Sequence, residues 1–195
     1  MIAAGFADPV FDAQSTFRGL MDATARPGST RAVAPLPAAP AILGGSLAAV
    51  VLALADHETA LHLDDRVAAD AGARAFLAFH TGAPRAATLG EAAFALVSDA
   101  RALPDLAACA PGTDAYPDRS TTVLARVAGL GEGRRYRLTG PGIDGETLVA
   151  IDGLPEDIVP RLAANRALFP RGVDLVLCGP DAILALPRTT RVEEA

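Results

Sequence analysis

The C-terminal run Phe169-Pro-Arg-Gly-Val-Asp-Leu-Val-Leu-Cys-Gly-Pro-Asp-Ala-Ile-Leu-Ala-Leu-Pro-Arg-Thr-Thr190 does most to narrow the folds open to this chain. Two apolar segments, 173–178 and 182–186, flank Gly179-Pro180-Asp181, a compact turn former. The spacing predicts an antiparallel hairpin. Its limbs are apolar on both faces, so both faces must be covered. Pro187 ends the second limb, because proline removes a ladder donor. Arg188, Thr189 and Thr190 then leave the sheet as a polar cluster. Asp174 on the first limb and Arg188 after the second are candidates for a buried ion pair with a structural role.

Upstream, helical and extended patterns interleave. A helix is predicted over 8–28, with Val10, Phe17, Leu20, Met21 and Thr24 at helical spacings and Pro27-Gly28 as its stop. A strand over 29–34 and a loop punctuated by Pro35, Pro37 and Pro40 follow. Residues 41–55 are apolar nearly all round and predict a buried helix. A strand over 59–63 leads to a helix over 66–79, capped by Asp64-Asp65 and stopped at Gly82, with Val67, Ala71, Phe76 and Phe79 on one side. Next come a strand over 91–97, a short helix over 99–108 interrupted at Pro104, and a turn-rich loop at 111–119. Strands over 120–127 and 135–139 are expected to form a hairpin through Gly129-Leu-Gly-Glu-Gly133. A sharp turn at Gly140-Pro-Gly-Ile143, an extended piece at 148–151 and an amphipathic helix over 155–168, on Ile158, Val159, Leu162 and Leu168, complete the series. The interleaving predicts an α/β fold, a three-layer α/β/α sandwich with a mixed sheet between helices, as one domain over 1–195.

Charge and residue usage exclude several functions. The formal net charge of −6 argues against nucleic acid as a main partner, since phosphate neutralisation needs a basic surface. No apolar run reaches the ~20 residues of a membrane span; the nearest, 41–55, ends at Asp56-His57-Glu58. No secretory signal is read at the N-terminus, and Cys109 and Cys178 are read as two buried thiols, so a cytoplasmic location is expected. All 17 basic residues are arginine. A Schiff-base lysine and a P-loop lysine are therefore both excluded.

The residues themselves assemble no catalytic constellation. His57, His62 and His80 lack metal-ligand spacing, so no metal site is expected. Thr121, Thr122, Thr189 and Thr190 have no activating base at a suggestive spacing, and neither cysteine sits in a reactive motif. Arg134, Arg135 and Arg137 form the densest cationic cluster, beside Gly140 and Gly142, whose turn could cradle phosphate through backbone amides. Two readings stay open: a solvated or subunit-facing edge beside a plain turn, or an anion site built from Arg134, Arg135, Arg137, Arg188, Gly140 and Gly142.

Short motifs in order along the chain carry a resemblance. They are Phe17-Arg18 with Met21 and Ala25-Arg-Pro-Gly28, Leu52-Ala-Leu-Ala-Asp56 with Glu58-Thr59, and Phe79-His-Thr-Gly82. Gly112-Thr113 with Tyr116-Pro117, Leu138-Thr-Gly-Pro-Gly-Ile143, and Phe169-Pro-x-Gly-Val-Asp-Leu followed by Leu186-Pro-Arg-Thr-Thr190 complete the set. Together they resemble the PhnH family, a subunit of the bacterial carbon–phosphorus lyase core complex. The resemblance implies a fold similar to pyridoxal-phosphate-dependent transferases but without the cofactor's lysine, and hence no cofactor. It implies a homodimer that also joins the other core subunits. That complex uses ATP and methylphosphonate to form ribose 1-methylphosphonate 5-triphosphate in phosphonate catabolism. On this reading the chain is an assembly subunit; the alternative is a subunit that binds a phosphorylated ligand or acts on it through the arginine-lined site.

Overall fold

Strands β7 (Asp174–Cys178) and β8 (Ala182–Leu186) form the expected hairpin, with register from Leu175↔Leu186 to Cys178↔Ile183, in a computed structural model that describes residues 2–195. Side chains alternate between faces along a strand. Leu175, Leu177, Leu184 and Leu186 therefore enter one core, and Val176, Cys178, Ile183 and Ala185 enter another. All eight are buried, which is why the limbs read as continuous apolar runs.

The hairpin sits inside a six-stranded mixed sheet. It includes β1 (Arg31–Ala32), β2 (Leu61–Leu63), β3 (Phe94–Val97) and β4 (Thr122–Arg126), in the order β1-β8-β7-β4-β3-β2. Strands β2, β3, β4 and β7 are mutually parallel, while β8 runs antiparallel to both its neighbours. One face is covered by helices α1 (Pro9–Ala25), α2 (Gly45–Leu54), α3 (Asp65–Ala69) and α4 (Ala71–Thr81). Asp8 starts α1 by accepting from the Val10 and Phe11 amides, with Pro9 at the first helical position. Gly82, left-handed at φ 66°, ends α4 as the sequence suggests.

The opposite face corrects the expectation of a sheet between two helical layers. Helix α5 (Ile158–Arg166) covers part of it. The rest lies under a second, three-stranded antiparallel sheet, ordered β6-β5-β9, of β5 (Gly129–Thr139), β6 (Thr147–Asp152) and β9 (Arg191–Glu194). Tyr136, Leu138, Val149, Ile151 and Val192 carry this sheet's apolar face into the core.

Other expectations also change. Strands 120–127 and 135–139 do not form a hairpin: β4 and β5 lie in different sheets. Gly129-Leu-Gly-Glu-Gly133 is part of β5, where a bulge lets both Leu130 and Arg134 align with Ile151. The helix expected over 66–79 splits at Asp70, whose carboxylate accepts from the Ala73 amide and so starts α4 afresh. The helix expected over 99–108 is two 3₁₀ turns, Ala100–Ala102 and Leu106–Ala108, on either side of Pro104. In α1 the buried residues are Thr16, Leu20 and Ala23; Val10, Phe17 and Met21 are exposed, and so is Phe79 in α4. No helix among the described residues is long and apolar enough to cross a membrane.

Candidate functional site

The sequence motifs at 25–28, 112–117, 138–143 and 169–190 meet near one end of the sheet. Asp174 opens β7 and Arg188 follows β8, so the hairpin brings them side by side. Arg188 Nε and Nη2 donate to Asp174 Oδ1 and Oδ2 at 3.1 and 2.5 Å, and the Arg188 amide donates to Oδ1 at 2.7 Å. The same guanidinium reaches the Pro117 carbonyl at 2.8 Å, Ser120 Oγ at 2.6 Å and the Pro170 carbonyl at 3.5 Å. Its planar fork thus ties two separate chain segments, 117–120 and Pro170, to one carboxylate. Only 12% of the Arg188 side chain is exposed.

Buried polar groups lock the surrounding loops. The Asn165 side chain donates to the Val173 carbonyl and accepts from the Val173 amide, both at 2.8 Å, so α5 and the start of β7 share a closed pair of bonds. The Gly172 amide donates to the Pro111 carbonyl at 2.8 Å. Gly140 has φ 136°, and a Cβ there would lie 3.1 Å from the Thr189 carbonyl oxygen. Gly142 has φ 82°, and a Cβ there would press into the Ala25 carbonyl oxygen at the end of α1. The glycine turn is therefore filled by chain and is no open phosphate cradle. Thr189 contributes its carbonyl to Arg166 Nε at 3.3 Å. The Thr190 hydroxyl is buried without a hydrogen-bond partner among the described residues.

The arginines expected to form one anion site are not brought together. Arg188 lies at the hairpin base, whereas Arg134, Arg135 and Arg137 lie on β5 in the other sheet. Arg137 Nε pairs with Glu146 at 3.3 Å; Arg134 donates to the Glu156 carbonyl at 3.1 Å and lies 3.8 Å from Glu194. Among the described residues Arg135 has no carboxylate partner, and it lines a cavity of about 320 Å³ shared with Thr30, Gly131 and Leu148.

The titrating groups argue in the same direction. Burial pushes the Cys109 thiol up to about 11 and the Cys178 thiol up to about 12, so neither is a nucleophile near neutrality. Burial also raises the Tyr136 phenol, and the nearby Arg134 guanidinium opposes the shift; among the described residues the hydroxyl has no partner at full hydrogen-bond geometry. Among the described residues no group of three His, Cys, Asp or Glu side chains is placed to hold a metal.

Location matters as well. Open α/β sheets bind ligands at the carboxyl ends of their strands. The Asp174–Arg188 cluster sits at the opposite end, where β7 begins. At the carboxyl ends, Asp64 spends its oxygens on the Val67 amide and on the Ser98 amide and hydroxyl, at 2.7, 2.6 and 2.7 Å. Arg126 there donates to the Ala41 and Ile42 carbonyls. Asp64, Ser98 and Arg126 at one end and Asp174 and Arg188 at the other are thus engaged in holding the fold. Sequence reasoning missed Arg166, Asn165 and Ser120, because each acts through a partner distant in the chain.

Comparison with known proteins gives this arrangement a context. Residues 4–193 match the family model described as bacterial phosphonate metabolism protein (PhnH). The chain is 44% identical over 191 residues, 98% of its own length and 95% of the other's, to the alpha-D-ribose 1-methylphosphonate 5-triphosphate synthase subunit PhnH of Rhizobium meliloti (strain 1021). It is also 40% identical over 76 residues, 39% of each chain, to the putative C-P lyase subunit protein HtxG of Stutzerimonas stutzeri. The chain belongs to the PhnH family of bacterial phosphonate metabolism proteins.

Proposed function

We propose that this chain is a subunit of the carbon–phosphorus lyase core complex in organic phosphonate catabolism, needed to form ribose 1-methylphosphonate 5-triphosphate from ATP and methylphosphonate. The observation that carries the reading is 44% identity across nearly the whole of both chains to a subunit of that synthase. Its role is assembly rather than chemistry: the donors of Arg188 and the glycine turn at 140–143 are engaged inside the chain. The protein works as a single PhnH-like domain over 1–195, in the cytoplasm, as a homodimer when alone and with the other core subunits when they are present. We relate its fold to that of pyridoxal-phosphate-dependent transferases, on the strength of the mixed sheet with its parallel strands. The chain has no lysine, so no residue fits the covalent attachment of that cofactor. The test is turnover: the pure chain leaves ATP and methylphosphonate unchanged, and adding it to the remaining subunits restores product. Product from the pure chain would overturn the reading.

The second reading, a phosphorylated ligand held by arginine, is favoured by one observation: Arg135, without a carboxylate partner among the described residues, lines a cavity with Thr30. Titration calorimetry with ATP on the wild type and on Arg135→Ala tests it. Heat that disappears in the variant supports it; no heat at millimolar ATP removes it.

A further inference from the structure

Two aromatic residues stand exposed where the folded chain gives them no role. Tyr116 is 52% exposed and Phe169 is 63% exposed, and each precedes a proline. The two carbonyls that follow them, of Pro117 and Pro170, both accept from the same atom, Arg188 Nη1, at 2.8 and 3.5 Å. The loops bearing the rings therefore meet at one buried guanidinium.

Each loop is also braced independently. The Pro111–Ser120 bridge closes the Tyr116 loop, and within it the Tyr116 amide and carbonyl bond back to Thr113. A Cβ on Gly112 would lie 2.8 Å from the Pro117 carbonyl oxygen, so the loop is packed through its own centre. The Phe169 turn is held by its amide on the Arg166 carbonyl and by the Asn165–Val173 pair. Asp114 and Arg171 join the two loops at 3.3 Å.

Charge follows the same plan. The Arg119 guanidinium lies 4.2 Å over the Tyr116 ring. Arg166 and Phe169 border a single cavity of about 290 Å³ together with Pro141 and Thr189. Neither Arg119 nor Arg166 has a carboxylate partner among the described residues, in a chain whose net charge is −6. Exposed aromatics beside arginine are the residues most enriched at the energetic centres of protein interfaces. A rigid frame means that docking on them costs little ordering entropy.

We propose that Tyr116 and Phe169 form a two-pronged docking platform for a partner subunit whose surface presents carboxylates, to Arg119 and Arg166, beside apolar side chains that cover the two rings. The proposal rests on the assembly reading and names the face that serves it. The carboxylates are chosen by charge: two cations without a carboxylate partner among the described residues, beside the rings, accept an acidic surface and repel a basic one.

The test is capture of the full chain by the co-expressed core subunits, comparing wild type with Tyr116→Ser/Phe169→Ser and with Arg119→Glu/Arg166→Glu. Because these side chains are exposed or at the rim, melting temperatures confirm that both variants fold. A third variant, Val10→Ser/Met21→Ser, alters the exposed stripe of α1 as a control. The expected result is at least a tenfold loss of affinity in both platform variants, of the order that truncation of an interface centre produces, and none in the control. Equal capture of wild type and platform variants overturns the platform alone. Failure of the wild type to be captured removes the assembly reading and the platform with it. Conversion of a homodimer to monomer by the platform variants, with partner capture intact, assigns the face to a second copy and overturns the proposal. So does ATP binding that depends on Arg166 and Phe169.

Discussion

Asp174 and Arg188 face each other across the base of the C-terminal hairpin in a two-pronged pair, Nε to Oδ1 at 3.1 Å and Nη2 to Oδ2 at 2.5 Å. They lie 14 positions apart in sequence. Two loops are fastened to the same guanidinium, at the carbonyls of Pro117 and Pro170. Arg188→Ala leaves a largely buried carboxylate and two carbonyls without donors. Removing one partner of such a pair costs about 3 kcal/mol. For a chain of this length that corresponds to a fall in Tm of about 6–12 °C. Arg188→Lys recovers little, because an ammonium cannot make the planar fork. Thermal melts of both variants check this; a Lys variant as stable as wild type would show that charge alone suffices.

The junction between the glycine turn and the end of α1 is tested by Gly142→Ala. At φ 82° a side chain is strained, and its Cβ would push against the Ala25 carbonyl. A cost of about 1–3 kcal/mol is expected from the backbone alone. Amide exchange should rise at 25–28 and at 140–143 and stay unchanged in β2 and β3. Uniform loss of protection would contradict a local junction.

The arrangement could be read only partly from the sequence. The hairpin at 173–186 was legible because Gly179-Pro180-Asp181 punctuates two segments whose residues are apolar on both faces. Asp64 and Gly82 marked helix ends, since capping is a local effect. The split at Asp70 was hidden by continuous helical patterning on either side. Strand β9 was hidden because Arg191-Val-Glu-Glu194 looks like a solvated tail, and only pairing with β5 orders it. The glycines at 129–133 mimicked a hairpin loop, yet they lie in a bulged strand whose register depends on β6. At the site, Asp174 and Arg188 were visible as a pair, but Asn165, Ser120 and Arg166 were not. Their bonds span 8 to 68 residues, and no local pattern encodes such contacts.

Among the described residues two buried hydroxyls lack a partner at full hydrogen-bond geometry, those of Tyr136 and Thr190. An unsatisfied buried hydroxyl costs about 1–3 kcal/mol, and a same-shape apolar replacement removes that cost. Tyr136→Phe and Thr190→Val should each leave Tm unchanged or raise it. A fall of several degrees in either would show that the hydroxyl makes a bond in solution, for instance to a bound water.

The cysteines predict an alkaline dependence. Burial raises both thiols above their ordinary value of 9.0, to about 11 for Cys109 and about 12 for Cys178. Above pH 9 the unfolded chain loses thiol protons that the folded chain keeps, so unfolding becomes easier as pH rises. Their contribution is intact below pH 9 and declines between about pH 9 and pH 12, by roughly 1.4 kcal/mol per pH unit for each thiol still protonated in the fold. Denaturant titrations of wild type and Cys178→Ala over this range check the slope, which is shallower in the variant. At neutral pH, iodoacetamide should label neither cysteine until the chain unfolds.

On the proposed reading this chain serves the phosphonate-processing complex by joining it. Native mass spectrometry of the co-expressed core subunits, purified with and without this chain, tests that most directly. A stoichiometric hetero-oligomer that contains this chain is the expected result. A lone homodimer, under conditions where the other subunits assemble without it, would rule out the assembly role.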